Sequence, residues 1–266
     1  MNKKRFIEKI TCRDCGITFE WEDTLADLGS DSHLFRPESC PECEDAASAA
    51  ARAAHEAAVA EENARLERKR LEGVLAKIRA NVPPRFQATD INHPSFRLKA
   101  WQTIKNWRPS AETPWLGLIG STGACKSRMG YLLAEIIGME IAASQKSMRA
   151  ICISSPELKD TVMAQFSKSS GHRDQWDYNP ADEARANIAA TRECDLLFID
   201  DLGKARPSPA YAEELFAIVN YRYDRNLPML WTANSPPEEI TAGLPPDMAA
   251  PLAGRLIECS KLYSFK

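Results

Sequence analysis

The sequence has no long hydrophobic run: nowhere in its 266 residues does an apolar stretch approach the ~18 residues of a membrane span. No membrane segment is therefore expected. A basic cluster, Lys3, Lys4 and Arg5, stands near the start. No apolar segment follows it, so a secretory signal is not expected and a cytoplasmic location is. An excess of either charge is also missing. With 34 basic and 37 acidic side chains the net charge is −3. That argues against a protein that coats nucleic acid through bulk charge, while a local basic patch stays compatible with it. There is no internal repeat. What is present is a soluble globular composition, 44% hydrophobic and 27% charged. At roughly 150 residues per domain the length suits one large domain or two small ones.

Eight cysteines in a chain without a signal point to metal binding or structural thiols rather than to disulfides. Cys12-x-x-Cys15 and Cys40-x-x-Cys43 form two pairs with 24 residues between them; Cys125, Cys152, Cys194 and Cys259 are single. Each pair can turn two thiolates toward one tetrahedral ion, and so small a fold needs such a staple. The expectation is a Zn²⁺ site made by Cys12, Cys15, Cys40 and Cys43. Redox dithiols are the alternative, and His33 is a possible substitute ligand.

After Asp45 the composition shifts. Ten of the 15 residues from Ala46 to Ala60 are alanine, and the next ten carry seven charges, with Glu61 and Arg65 four apart. Alanine has the best helix propensity and such pairs add to it, so a helical linker over 47–81 is expected. Leu71, Leu75, Ile78 and Val82 recur at helical spacing and should dock the last turns; Val82-Pro83-Pro84 ends the helix. Beyond it, short apolar runs alternate with amphipathic stretches, the pattern of an α/β fold around a parallel sheet. Strands are expected over 115–119, 150–154, 196–200, 229–233 and 262–265. Helices are expected over 126–137, 156–166, 182–190, 210–225 and 246–256.

The strongest motif is Gly120-Ser121-Thr122-Gly123-Ala124-Cys125-Lys126-Ser127, between an apolar run and an amphipathic stretch. In that context it reads as a phosphate loop. Backbone amides and a helix N-terminus face the phosphates of ATP, Lys126 neutralises the β/γ oxygens, and the Ser127 hydroxyl is a ligand for Mg²⁺. Cys125 stands where glycine precedes the lysine. If the position needs positive φ, a side chain there costs about 1 kcal/mol, and a thiol at a helix N-terminus beside a lysine also suggests sensitivity to oxidation. Downstream, Leu196-Leu197-Phe198-Ile199-Asp200-Asp201 is an apolar strand ending in two carboxylates. Asp200 is the candidate to hold Mg²⁺ and Asp201 to orient or deprotonate the attacking water; solvated turn acids are the plainer reading. Asn234 ends another apolar run and suits contact with the γ-phosphate or the water, or a simple turn before Pro236-Pro237. Arg255 is a candidate arginine finger for a neighbouring subunit, or a surface ion-pair residue.

These motifs, with Pro83-Pro84-Arg85-Phe86 and Gly254-Arg255-Leu256, together resemble the AAA+ ATPases of the DnaC/DnaI helicase-loader and IstB type, over residues 82–266. The resemblance implies a three-layer P-loop AAA+ fold with a five-strand parallel sheet and no C-terminal helical lid. It makes Asn234 sensor 1 and Arg255 the arginine finger. It also implies ATP-linked self-association, single-stranded DNA contact and docking on a replicative helicase. DnaI-type loaders are similar in carrying an N-terminal zinc module, so the expected domains are a zinc ribbon (1–46), a helical linker (47–81) and the ATPase (82–266). Lys159, Lys168, His172 and Arg173, with Trp176 and Tyr178, mix charge and rings in a way compatible with single-strand contact, and equally with a solvated face. The competing readings are an IstB-like transposition ATPase and a weakly hydrolysing, zinc-bearing DNA or protein adaptor. A small-molecule kinase fits the paired acids less well.

Overall fold

The computed structural model describes residues 7–22, 37–94, 96–144, 147–166 and 179–265. The chain divides into two compact units, Met1–Lys69 and Arg70–Lys266. Within the first, strands β1 (Ile7–Thr11) and β2 (Thr18–Glu22) form an antiparallel hairpin in which Ile10 faces Phe19. Sequence reading did not anticipate this hairpin, because its strands are only five residues long and only Ile10 among them is buried, although Phe19 and Trp21 do alternate with polar residues. Helix α1 (Pro41–Ala80) starts at the second cysteine pair, with Glu42 and Glu44 in its first turn and Lys77 and Arg79 in its last. Both placements suit the helix dipole. The boundary between the units falls inside this helix.

The second unit is a five-stranded sheet. Its strands are β3 (Trp115–Gly120), β4 (Ala150–Ser154), β5 (Leu196–Asp200), β6 (Met229–Ala233) and β7 (Ser260–Phe265), in the order β4-β5-β6-β3-β7. Every pairing is parallel. Side chains of consecutive strand residues point to opposite faces, and here both faces are buried. Trp115, Ile119, Leu197, Ile199, Met229 and Trp231 enter one core. Leu116, Leu118, Leu196, Phe198 and Leu230 enter the other. The first core is covered by α5 (Ser155–Ala164), α6 (Pro180–Glu193), α7 (Pro209–Asp224) and α9 (Pro246–Cys259). The second is covered by α3 (Leu98–Ile104), α4 (Lys126–Ser144) and the end of α1, whose Ile78 is buried and joined by Val82. Two short helices, α2 (Pro84–Gln87) and α8 (Pro237–Thr241), complete the unit. The result is a three-layer α/β architecture, a five-stranded parallel sheet with helices on both faces.

Four of the five expected strands begin where the sequence places them, and β7 starts two residues earlier, at Ser260. Helix α4 continues to Ser144, beyond the expected 137, because Gly138 and Ala142 are themselves buried. Among the described residues no helix is long and apolar enough to cross a membrane.

Candidate functional site

The loop between β3 and α4 is shaped by residues with little choice. Gly120 ends β3 at φ 156°, and a Cβ on it would lie 2.1 Å from the Phe265 carbonyl oxygen of the neighbouring strand. Only glycine allows that approach. Cys125 adopts φ 61°, so the position does require the left-handed conformation that glycine would take without strain. Its carbonyl accepts the Met129 N–H at 3.0 Å, which makes it the residue from which α4 starts.

The Lys126 ammonium is buried, 5% exposed, yet fully partnered. It donates to the carbonyls of Gly120 at 2.8 Å and Ser121 at 2.9 Å, and to Asn234 Oδ1 at 3.0 Å. Burial lowers its pKa, while the charges of Asp201 and Asp200 act in the opposite direction. Asn234, just past the end of β6, therefore touches the loop lysine, and β6 lies between β3 and the strand that carries the acidic pair.

Asp200, at the end of β5, is 5% exposed. Its carboxylate accepts a hydrogen bond from Thr232 Oγ1 at 2.6 Å. Burial raises its pKa; the hydrogen bonds from Thr232 and Ser127 oppose that rise. The Ser127 hydroxyl thus lies near the Asp200 carboxylate, and a hydroxyl beside a carboxylate is the oxygen-rich pair that suits Mg²⁺. Asp201 follows at φ 55°. Its N–H donates to Thr232 Oγ1 at 2.8 Å, and its carboxylate pairs with Lys204 at 2.7 Å.

These groups open on a cleft of about 450 Å³ lined by residues 122–127 together with Asp201 and Asn234. Gly120, Ser121 and Asp200 are not part of that lining. The same wall includes Arg85, Phe86, Arg128 and Lys204, none of which the sequence reading gave a role. Phe86 stacks on Tyr131 with centroids 5.1 Å apart, and the Arg85 guanidinium lies 4.4 Å from the Phe86 centroid. Thr232 was also missed. Its signal was a lone polar residue inside an apolar strand. Arg255 lies outside the cleft lining. On α9 its guanidinium sits 5.3 Å from the ring centroids of both Phe216 and Tyr223, and its Nε and Nη1 have no hydrogen-bond partner among the described residues. Of the residues considered for single-strand contact, Lys168, His172, Arg173, Trp176 and Tyr178 lie outside the described residues, as does His33.

In the first unit the sulfurs of Cys12, Cys15, Cys40 and Cys43 all lie within 4.8 Å of one another. Four thiolates bound to zinc at about 2.3 Å sit about 3.8 Å apart, and the Cys15 and Cys40 sulfurs are 3.7 Å apart. The first pair is folded into a tight turn. Gly16 N–H donates to the Cys12 carbonyl at 3.0 Å, with Gly16 at φ 76°. The Cys40 N–H donates to Cys12 Sγ at 3.2 Å. This bond, with one from the Cys15 backbone, lowers the Cys12 thiol to about 6. The Cys43 thiol is pushed up, chiefly by its hydrogen bond with Cys40. Crowded sulfurs of which one ionises early are what a divalent cation relieves, and the four fit Zn²⁺.

No protein-family model and no curated protein matches the chain. Solved structures similar to it include a protein assigned as a primosome component from Streptococcus pyogenes serotype M3, at 21% identity over 72% of this chain and 96% of that one, with a TM-score of 0.49. DnaI is similar at 18% identity over 68% of this chain and 87% of that one, with a TM-score of 0.45. The DnaC helicase loader is similar at 18% identity over 69% of this chain and 100% of that one, with a TM-score of 0.47.

Proposed function

We propose that the second unit binds and hydrolyses ATP and that the whole chain is an ATP-dependent loader of a hexameric replicative helicase, acting on single-stranded DNA when replication starts. One observation carries the hydrolytic part: Lys126, Ser127, Asp201 and Asn234, from α4 and the ends of β5 and β6, line one cleft, with Asp200 next to Asp201 at the end of β5. Loop amides and Lys126 bind the β- and γ-phosphates. Ser127 and Asp200 are the residues that would hold Mg²⁺, which when bound neutralises charge on the phosphate oxygens. Asp201 orients a water toward the γ-phosphorus and takes its proton, releasing ADP and phosphate. Asn234 holds the lysine and the γ-phosphate in register. Arg255 serves the site of a neighbouring copy in an ATP-dependent homo-oligomer.

The motif set along residues 82–266 supports the loader reading, and the four-cysteine unit supports a zinc-stabilised module that meets the helicase. A cytoplasmic setting accords with both. The weakly hydrolysing adaptor is favoured by one feature, the strained Cys125 in the loop. Two experiments decide. Turnover of ATP that falls sharply in Asp201→Asn supports the enzyme; slow turnover that Asp201→Asn leaves unchanged supports the adaptor. Nucleotide-dependent capture of a replicative helicase, and not of a transposase, supports the loader over the IstB-like alternative.

A further inference from the structure

Thr232 is fully buried in the middle layer, in a strand otherwise made of apolar residues. Its hydroxyl is used twice. Oγ1 donates to Asp200 Oδ1 at 2.6 Å and accepts the Asp201 N–H at 2.8 Å. Its carbonyl accepts the Leu202 N–H at 2.7 Å. One residue of β6 therefore grips three consecutive residues, the last of β5 and the two that follow it. Asp201 stands in this grip at φ 55°, a conformation that a non-glycine residue keeps only where its surroundings over-determine it. Two positions further along the chain, just past the end of β6, Asn234 accepts from Lys126 at 3.0 Å. Strand β6 thus aims both the acids and the lysine from one backbone.

We propose that Thr232 is a positioning residue for ATP hydrolysis: its hydroxyl turns the Asp200 carboxylate toward Ser127 and fixes the backbone that presents Asp201 to the water. The inference rests on the hydrolytic reading above. It demands a side chain that both donates and accepts, which serine supplies and valine, equal in shape, does not.

The test compares the full-length wild type with Thr232→Val and Thr232→Ser. Three quantities are read: steady-state ATP turnover, its dependence on Mg²⁺, and ATP binding without Mg²⁺. Thr232→Val is expected to lose about 10- to 100-fold in kcat, the range found when groups that orient ligands are removed, and to need more Mg²⁺ for half-maximal rate. Its ATP affinity without Mg²⁺ should stay within about twofold of wild type, because ground-state binding is not what the hydroxyl provides. Thr232→Ser should recover most of the rate. A Thr232→Val protein as fast as wild type overturns the inference. So does a Thr232→Ser protein as slow as Thr232→Val, or a loss of Mg²⁺-free binding in step with the rate. A wild type that binds ATP but never turns it over overturns the hydrolytic reading, and this inference with it.

Discussion

At Cys125 a side chain occupies the backbone conformation least suited to one. A left-handed residue with a Cβ costs about 1 to 2 kcal/mol relative to glycine, while the greater freedom of glycine in the unfolded chain returns about half of that. Cys125→Gly should therefore raise the unfolding temperature of the second unit by about 1–3 °C, read by calorimetry or circular dichroism. An unchanged or lower temperature would mean that the thiol contributes contacts outweighing the strain at φ 61°. This strain was legible in the sequence, because the glycine missing from the loop motif marked the position. Thr232 was not, since a threonine in a strand is ordinary until its two partners are known. Arg85, Phe86 and Arg128 escaped for a similar reason: their place on the cleft wall depends on how α2 packs against α4, and no spacing rule encodes that.

Among the elements, the central strands were read almost to the residue. Parallel strands buried on both faces appear as continuous apolar runs, and β5 and β6 are buried at every position. The hairpin β1–β2 and the short helix α3, with just Trp101 and Ile104 buried, gave no comparable run. How the strands are held at their other ends was equally hidden. Arg222 of α7, 0% exposed, donates to the carbonyls of Arg192 and Cys194 before β5 and of Pro228 before β6. Burial lowers its pKa, and the carbonyl acceptors around the guanidinium offset the cost of burying its charge. Arg222→Leu leaves three carbonyls without their donor and should cost about 3 kcal/mol or more in urea unfolding of the second unit. A cost under about 1 kcal/mol would mean that water replaces the guanidinium.

On the scale of the whole molecule, two units depend on different chemistry. The first unit buries little apolar surface and is expected to be held by one zinc ion per chain, bound by the cysteines whose sulfurs already cluster within 4.8 Å. Cys40→Ser, or a strong chelator, should release the metal and unfold the hairpin while ATP binding to the second unit persists. Metal content by atomic absorption and nucleotide titration of the same sample check both halves, and loss of nucleotide binding together with the metal would contradict this division of labour. The central claim is narrower: a triphosphate with its cation sits at the end of β3. Isothermal titration of the purified protein with ATP and Mg²⁺ tests it most directly, run beside Lys126→Ala. The expected result is saturable binding that weakens about 10- to 100-fold in the variant, the worth of a lost charge-assisted contact; binding that is absent from the wild type, or equal in the two proteins, would contradict it.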